Sequence, residues 1–234
     1  MGGNMMRGNY DSDTHPQRRF REYLAQLKQQ GSGLLVTGEA SETARMEASQ
    51  KLFGTADPDE PRRRVLISTD PGVVPEEYLP DGVHPSDDDD DVRVVETAGY
   101  VRGTTATATT ASPHTSILDQ LEADTETALQ ELIRTDSPDP GVLRVGVTSL
   151  QPLIETAGLS RVEEFVTILA AKVRQWNGML HVHYPVPDTE ESVLTFRRHM
   201  DARIELRDRP DRAVEWHWHT ADPLIDAHLL WVEI

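Results

Sequence analysis

Short apolar runs alternate with helix-periodic segments along this chain, and that alternation constrains its fold more than any single motif. Leu34-Leu35-Val36 is a compact apolar run between glycines, Val65-Leu66-Ile67 repeats it, and Val92 to Val95, Leu143 to Val147 and Met179 to Tyr184 read as further strands. An apolar run without polar alternation belongs to a strand covered on both faces. Between the runs, apolar residues recur at helical spacing. Phe20, Tyr23, Leu24 and Leu27 mark a helix over Pro16 to Gln30, and a second is expected from Ser41 to Phe53, stopped by Gly54. A third, Ser116 to Arg134, carries the stripe Leu118, Leu121, Thr125, Leu129 and Leu132. The fourth spans residues 161–176, with Ser160 and Glu163 read as its capping box and Val162, Phe165, Val166, Leu169, Val173 and Trp176 on one face. A last helix is expected from Glu190 to Met200.

Strands alternating with helices imply an α/β fold of three layers, a mostly parallel central sheet between helices. The pattern changes near the C-terminus, where Arg203–Arg207, Ala213–Trp218 and His228–Glu233 read as strands of an antiparallel ribbon. With 234 residues the chain suits one domain, placed over residues 16–234, behind a disordered leader over residues 1–15. Four prolines and an aspartate run mark residues 70–91 as a mobile acidic loop, and the Thr/Ala tract 104–111 reads as either strand or loop.

Composition narrows the function classes. Forty acidic against 23 basic residues give a net charge of −17, spread along the chain, which argues against a nucleic-acid surface built on clustered Lys and Arg. Lys28, Lys51 and Lys172 are the only lysines. Abundant Asp and Glu with so little Lys resembles the proteins of salt-accumulating halophilic archaea. The absence of cysteine excludes disulfides, thiolate metal sites and a cysteine nucleophile. No apolar stretch has the length of a membrane span, so a soluble, cytoplasmic protein is expected. No G-x-S-x-G elbow supports a serine hydrolase.

The stretch VTGEASETARMEASQ, residues 36–50, has the outline of a phosphate-binding loop: strand, glycine, tight connection, helix. A working loop of the form G-x-x-x-x-G-K-[ST] holds phosphate with backbone amides and a lysine, and magnesium with a hydroxyl. Aligned on Gly38, this chain has Thr43 for the second glycine, Ala44 for the lysine and Arg45 for the hydroxyl residue. Arg45 leaves the helix about 100° from the lysine's direction, and Glu39 and Glu42 would repel an anion. Ser41 or Thr43 is expected to cap the helix in place of phosphate.

The order of segments over most of residues 17–207 resembles the RecA/RAD55/KaiC-like group of P-loop ATPases. LLVTG…TARMEASQKLFG follows that family's first strand, loop and helix, RVLISTD its second strand, LRVGVTSL its Walker B strand, MLHVHY its sensor strand, and FRRHMDARIELRD its closing helix and strand. The resemblance is closest to a haloarchaeal branch without an established role. It implies a RecA-like fold, and it implies loss: Thr148 stands where the family has its metal-binding Asp, and Asp70 is the one acid near the expected catalytic Glu. The degenerate site is thus Gly38, Thr43, Ala44, Arg45, Asp70 and Thr148.

The expected function is therefore non-catalytic, a pseudo-ATPase that works by protein–protein interaction in signalling or regulation, with no ATP or magnesium held and a homo-oligomer open. The alternative is a nucleotide-binding sensor without turnover. His181 with His183, and His217 with His219, each alternate on one strand face and could ligate zinc if the strands met. The family topology separates them, so no metal site is expected; His217 and His219 read as the wet face of the ribbon, with Trp216 and Trp218 packed inward and Trp231 and Val232 extending it toward a partner.

Overall fold

The computed structural model describes residues 14–57, 59–85, 91–97, 116–133, 138–220, 222, 225 and 231–234. The Thr/Ala tract, the start of the chain through residue 13 and all of the aspartate run but Asp91 lie outside the described residues. One sheet organises the rest, built from β1 (Ser32–Thr37), β2 (Arg63–Ser68), β3 (Val92–Glu96), β4 (Leu143–Val147), β5 (Met179–His183), β6 (Ala202–Arg207), β7 (Glu215–Thr220) and β8 (Val232–Glu233). Their order is β3-β2-β4-β5-β1-β6-β7-β8, parallel through β6 and antiparallel at the β6–β7 and β7–β8 pairs. The mostly parallel α/β sheet with its C-terminal antiparallel ribbon is as expected.

Helices cover both faces. On one side lie α1 (Thr14–Gln30) and α2 (Glu42–Phe53); on the other lie α3 (Ile117–Ile133), α4 (Gln151–Ala157), α5 (Leu159–Gln175) and α6 (Glu191–Arg197). Strand side chains divide accordingly: Leu35, Val65, Ile67, Val145, Val147, Leu180 and Val182 join the large core under α3 to α6, while Leu34, Val36 and Ile204 meet α1. Burial on both faces is why these strands read as continuous apolar runs. The stripe proposed for α3 is buried as a unit, with Ala128 added.

Four features depart from the sequence reading. First, α4 was not anticipated. It places Gly158, at φ +81°, both after α4 and before α5, so α5 starts at Leu159 and the Ser160–Glu163 capping box does not form. Glu163 instead accepts a hydrogen bond from His199 at 2.8 Å and pairs with Arg198. Second, the start of the 70–91 segment is ordered into the core: a 3-10 turn, Pro75–Tyr78, brings Tyr78, Leu79 and Val83 into a cluster with Phe53, Leu66 and Val92. The prolines there shape a docked turn. Third, α1 begins at Thr14, inside the span assigned to the leader. Fourth, of the strand expected over His228–Glu233, β8 takes Val232–Glu233 and Trp231 precedes it, while residues 228–230 lie outside the described residues. Among the described residues, no helix is long and apolar enough to cross a membrane.

Candidate functional site

In an open parallel sheet, ligands collect outside the carboxyl ends of the strands, where loops and helix N-termini converge. Here those ends share one chemical feature. Strands finish in, or run directly into, hydroxyl residues: Thr37 after Val36, Ser68-Thr69 after Ile67, Thr97 after Glu96, and Thr148-Ser149 after Val147. Thr37 Oγ1 donates to Asp188 at 2.6 Å, and the others lock to one another. Thr148 Oγ1 accepts from the Thr69 amide at 3.0 Å, Thr69 Oγ1 donates to the Ser149 carbonyl at 2.5 Å, and Thr97 Oγ1 donates to the Thr69 carbonyl at 3.0 Å. All four residues are buried. Thr69, Thr97 and Ser149 were not singled out from sequence, although a hydroxyl closing each apolar run was visible there.

The loop after β1 is equally self-contained. Gly38 has φ +105°, and a Cβ at this position would lie 2.2 Å from the Leu206 carbonyl oxygen, so only glycine lets the chain turn this close to β6. Its amide donates to the Val186 carbonyl at 2.9 Å. Ser41 caps α2, its Oγ accepting from the Ala44 amide at 3.2 Å, and Glu42 lies in the first turn as a favourable partner for the helix dipole. Thr43 is exposed and Ala44 is fully buried. A lysine at residue 44 would therefore start inside the core, with no open route to a phosphate.

Arg45 does not diverge from the strand ends, as its helical position alone suggested. Its guanidinium reaches the Thr148 carbonyl at 3.4 Å, bridging α2 to β4. It lines a cavity of about 470 Å³ with Thr69, Asp70, Thr97, Ser149 and Glu155. Asp70 accepts from the Gly72 amide at 3.0 Å in a local turn. The structure thus gathers Arg45, Asp70 and the Thr148 segment around one cleft and leaves Gly38 and Thr43 outside it. A larger cavity of about 950 Å³, mostly apolar, lies away from the strand ends between α1, α2 and the ribbon, lined by Phe20, Leu24, Trp216 and Trp218.

Beneath Arg45 sits a buried aromatic layer. His181 and His183 project from β5 toward α2, where Phe53 meets His181 edge-on at 4.7 Å and Tyr78 meets His183 at 6.2 Å. His181 Nε2 is 3.0 Å from Ser49 Oγ. Gly146 makes this approach possible, since a Cβ there would lie 2.6 Å from Phe53 and 2.7 Å from His181. Burial, and then the charge of Arg144, pull the His181 pKa down to about 3, and burial with the neighbouring His181 and Arg45 holds His183 well below the ordinary imidazole range. Burial raises the Tyr78 phenol to about 12. This layer is uncharged at neutral pH.

The ribbon carries the second histidine pair. β1 and β6 stand between β5 and β7, so the two pairs do not meet and the four-histidine zinc site does not form. Trp216 and Trp218 pack inward beside Leu24 and Tyr23, as expected. His217 and His219 are half-buried, however, and do not form a wet face: Trp231 stacks on His217 at 5.4 Å, and Glu205 on β6 approaches His219.

Fold and site together define an α/β protein with a mostly parallel sheet, a hydroxyl-locked cleft at its strand ends and one arginine facing that cleft. The chain belongs to a family of unknown function, DUF7504, whose model matches residues 31–206, the span from the turn before β1 into β6. No curated protein matches the chain.

Proposed function

We propose that the chain is a non-catalytic RecA/KaiC-like domain that acts through contact with another protein, in a signalling or regulatory role. The observation that carries this reading is the internal satisfaction of the groups that would otherwise meet phosphate and magnesium. Ser41 occupies the Ala44 amide, the Thr69 amide occupies the Thr148 hydroxyl, and Ala44 is sealed in the core. Phosphoryl transfer rests on positioned cations and amide donors, and a chain that has bonded these groups to itself lacks that stabilisation. Strand order supports the family resemblance as well: the segments likened to the loop strand, the metal strand and the sensor strand are β1, β4 and β5, side by side with β5 in the middle. The exposed Val232 at the end of the ribbon offers an apolar contact for a partner.

Equilibrium binding of Mg-ATP and Mg-ADP to the purified chain in molar KCl tests the reading, and no saturable binding is expected. A second reading, a nucleotide sensor without turnover, draws on the cleft of about 470 Å³ with Arg45 in its wall. It requires saturable binding that is lost in Arg45→Met. Steady phosphate release, abolished by substituting Arg45 or Asp70, would overturn both readings in favour of an ATPase.

A further inference from the structure

On the face of the ribbon turned away from α1, β6 and β7 place polar side chains in register. Glu205 lies directly across from His217 and Arg203 across from His219. Three ligand-type atoms converge there: His217 Nδ1 is 3.2 Å from His219 Nε2, and His219 Nε2 is 3.1 Å from Glu205 Oε2. The ligand atoms of Glu205, His217 and His219 all lie within 4.8 Å of one another, and this is the one such group among the described residues.

Proton counting makes the arrangement unusual. A ring nitrogen carries at most one hydrogen, and His219 Nε2 has two short contacts. If Nε2 donates to Glu205, His217 Nδ1 must be the acceptor and share the same hydrogen. If Nε2 accepts from His217, its lone pair faces a carboxylate lone pair. A cation among the three atoms makes every contact favourable at once. Tetrahedral zinc with bonds of about 2.0–2.1 Å sets its ligand atoms about 3.3 Å apart, close to the two separations found here.

The two arginines that flank the site put positive charge beside it, and each has a carboxylate partner to offset that charge. The flanking arginines are already committed, Arg203 to Asp188 and Arg207 to Glu215. The stacked Trp231 fixes the His217 ring, with the Arg207 guanidinium 3.8 Å from the indole centroid.

We propose that Glu205, His217 and His219 form a binding site for a divalent transition metal ion of the zinc class, with a fourth position open to water. One carboxylate and two imidazoles are the donor set such ions take, whereas calcium and magnesium require more oxygen ligands. The site would clamp β7 to β6 at the edge of the parallel sheet, and it does not depend on the fate of the nucleotide loop.

The test is a titration of the full-length chain with Zn²⁺ against a chromophoric chelator, repeated on Glu205→Gln, His219→Gln and the exposed-residue control His84→Gln. One equivalent is expected for the native chain and for the control. Affinity should fall by at least about tenfold in each ligand variant. Co²⁺ should give the intense visible band of a four-coordinate site in the native protein and the control but not in the ligand variants, and Zn²⁺ should raise the melting temperature of those two without raising that of the ligand variants. Circular dichroism identifies any variant that has lost its fold; if one has, Glu205→Asp and His217→Gln take its place. Absence of stoichiometric zinc binding by the native chain, or equal binding by folded ligand variants, overturns the proposal and leaves a shared hydrogen bond between the three side chains.

Discussion

Thr148 Oγ1 accepts a hydrogen bond from the backbone amide of Thr69 at 3.0 Å, joining the end of β4 to the end of β2. Both residues are buried, so neither group can turn to water instead. A carboxylate at residue 148 would be a second acceptor-only group beside the Ser149 carbonyl, with its charge in the interior. Thr148→Val should strand the Thr69 amide and cost about 1–3 kcal/mol, while Thr148→Ser should retain most of the stability. Chemical denaturation of both variants in molar salt checks this, and equal losses would mean that the hydroxyl contributes nothing.

Gly38 turns the chain at φ +105° with the Leu206 carbonyl where a side chain would begin. Gly38→Ala must move either the loop or β6, and a loss of at least about 2 kcal/mol is expected. The same denaturation series measures it. A near-neutral result would show that the loop adapts.

Gly146→Ala tests the packing beneath the cleft. The new methyl would press on Phe53 and on His181, at separations of 2.6 and 2.7 Å. Overpacking of this kind costs about 1–3 kcal/mol. Near-ultraviolet circular dichroism should change as the aromatic layer shifts, and an unchanged spectrum with unchanged stability would contradict the packing described.

Acid should destabilise the protein through His181 and His183. In the unfolded chain an imidazole takes up its proton near pH 6.5, roughly, whereas burial pulls His181 down to about 3 and His183 well below its usual value. As pH falls, the unfolded state is protonated first, so stability is fully present above the unfolded pKa and is lost from there down toward the folded one. Each histidine should add a slope of about 1.4 kcal/mol per pH unit within that window. Unfolding free energies measured across it should fall less steeply for His181→Gln than for the native protein, and parallel curves would rule the histidines out as the cause.

Much of the architecture was legible in the sequence, because double burial and helical periodicity are local signals. The runs Leu34–Val36, Val65–Ile67 and Leu143–Val147 became strands, and Ser41 and Gly54 became the ends of α2, since two-sided burial and helix capping are written within a few residues of the positions they govern. That residue 44 is alanine and residue 148 threonine, where a working phosphate site would carry lysine and aspartate, was equally plain. The short α4 was hidden because seven residues starting Gln-Pro carry almost no periodicity, and the Tyr78 turn was hidden because prolines and acids read as exposed loop.

What only the tertiary structure decided is which groups meet across long separations. Arg45 reaches Thr148 although 103 positions separate them, and Thr69 reaches Thr148 across 79. Those contacts depend on strand order, which hydrophobic patterning does not specify, because any order of these apolar strands buries similar surface. The same holds for Glu205 and the two ribbon histidines, whose convergence follows from antiparallel register. A register shifted by one residue would send the histidine rings and the glutamate to opposite faces. Sequence determined the layers of this protein and the capped, lysine-free turn after β1; the order and register of its strands determined which side chains now occupy the strand ends.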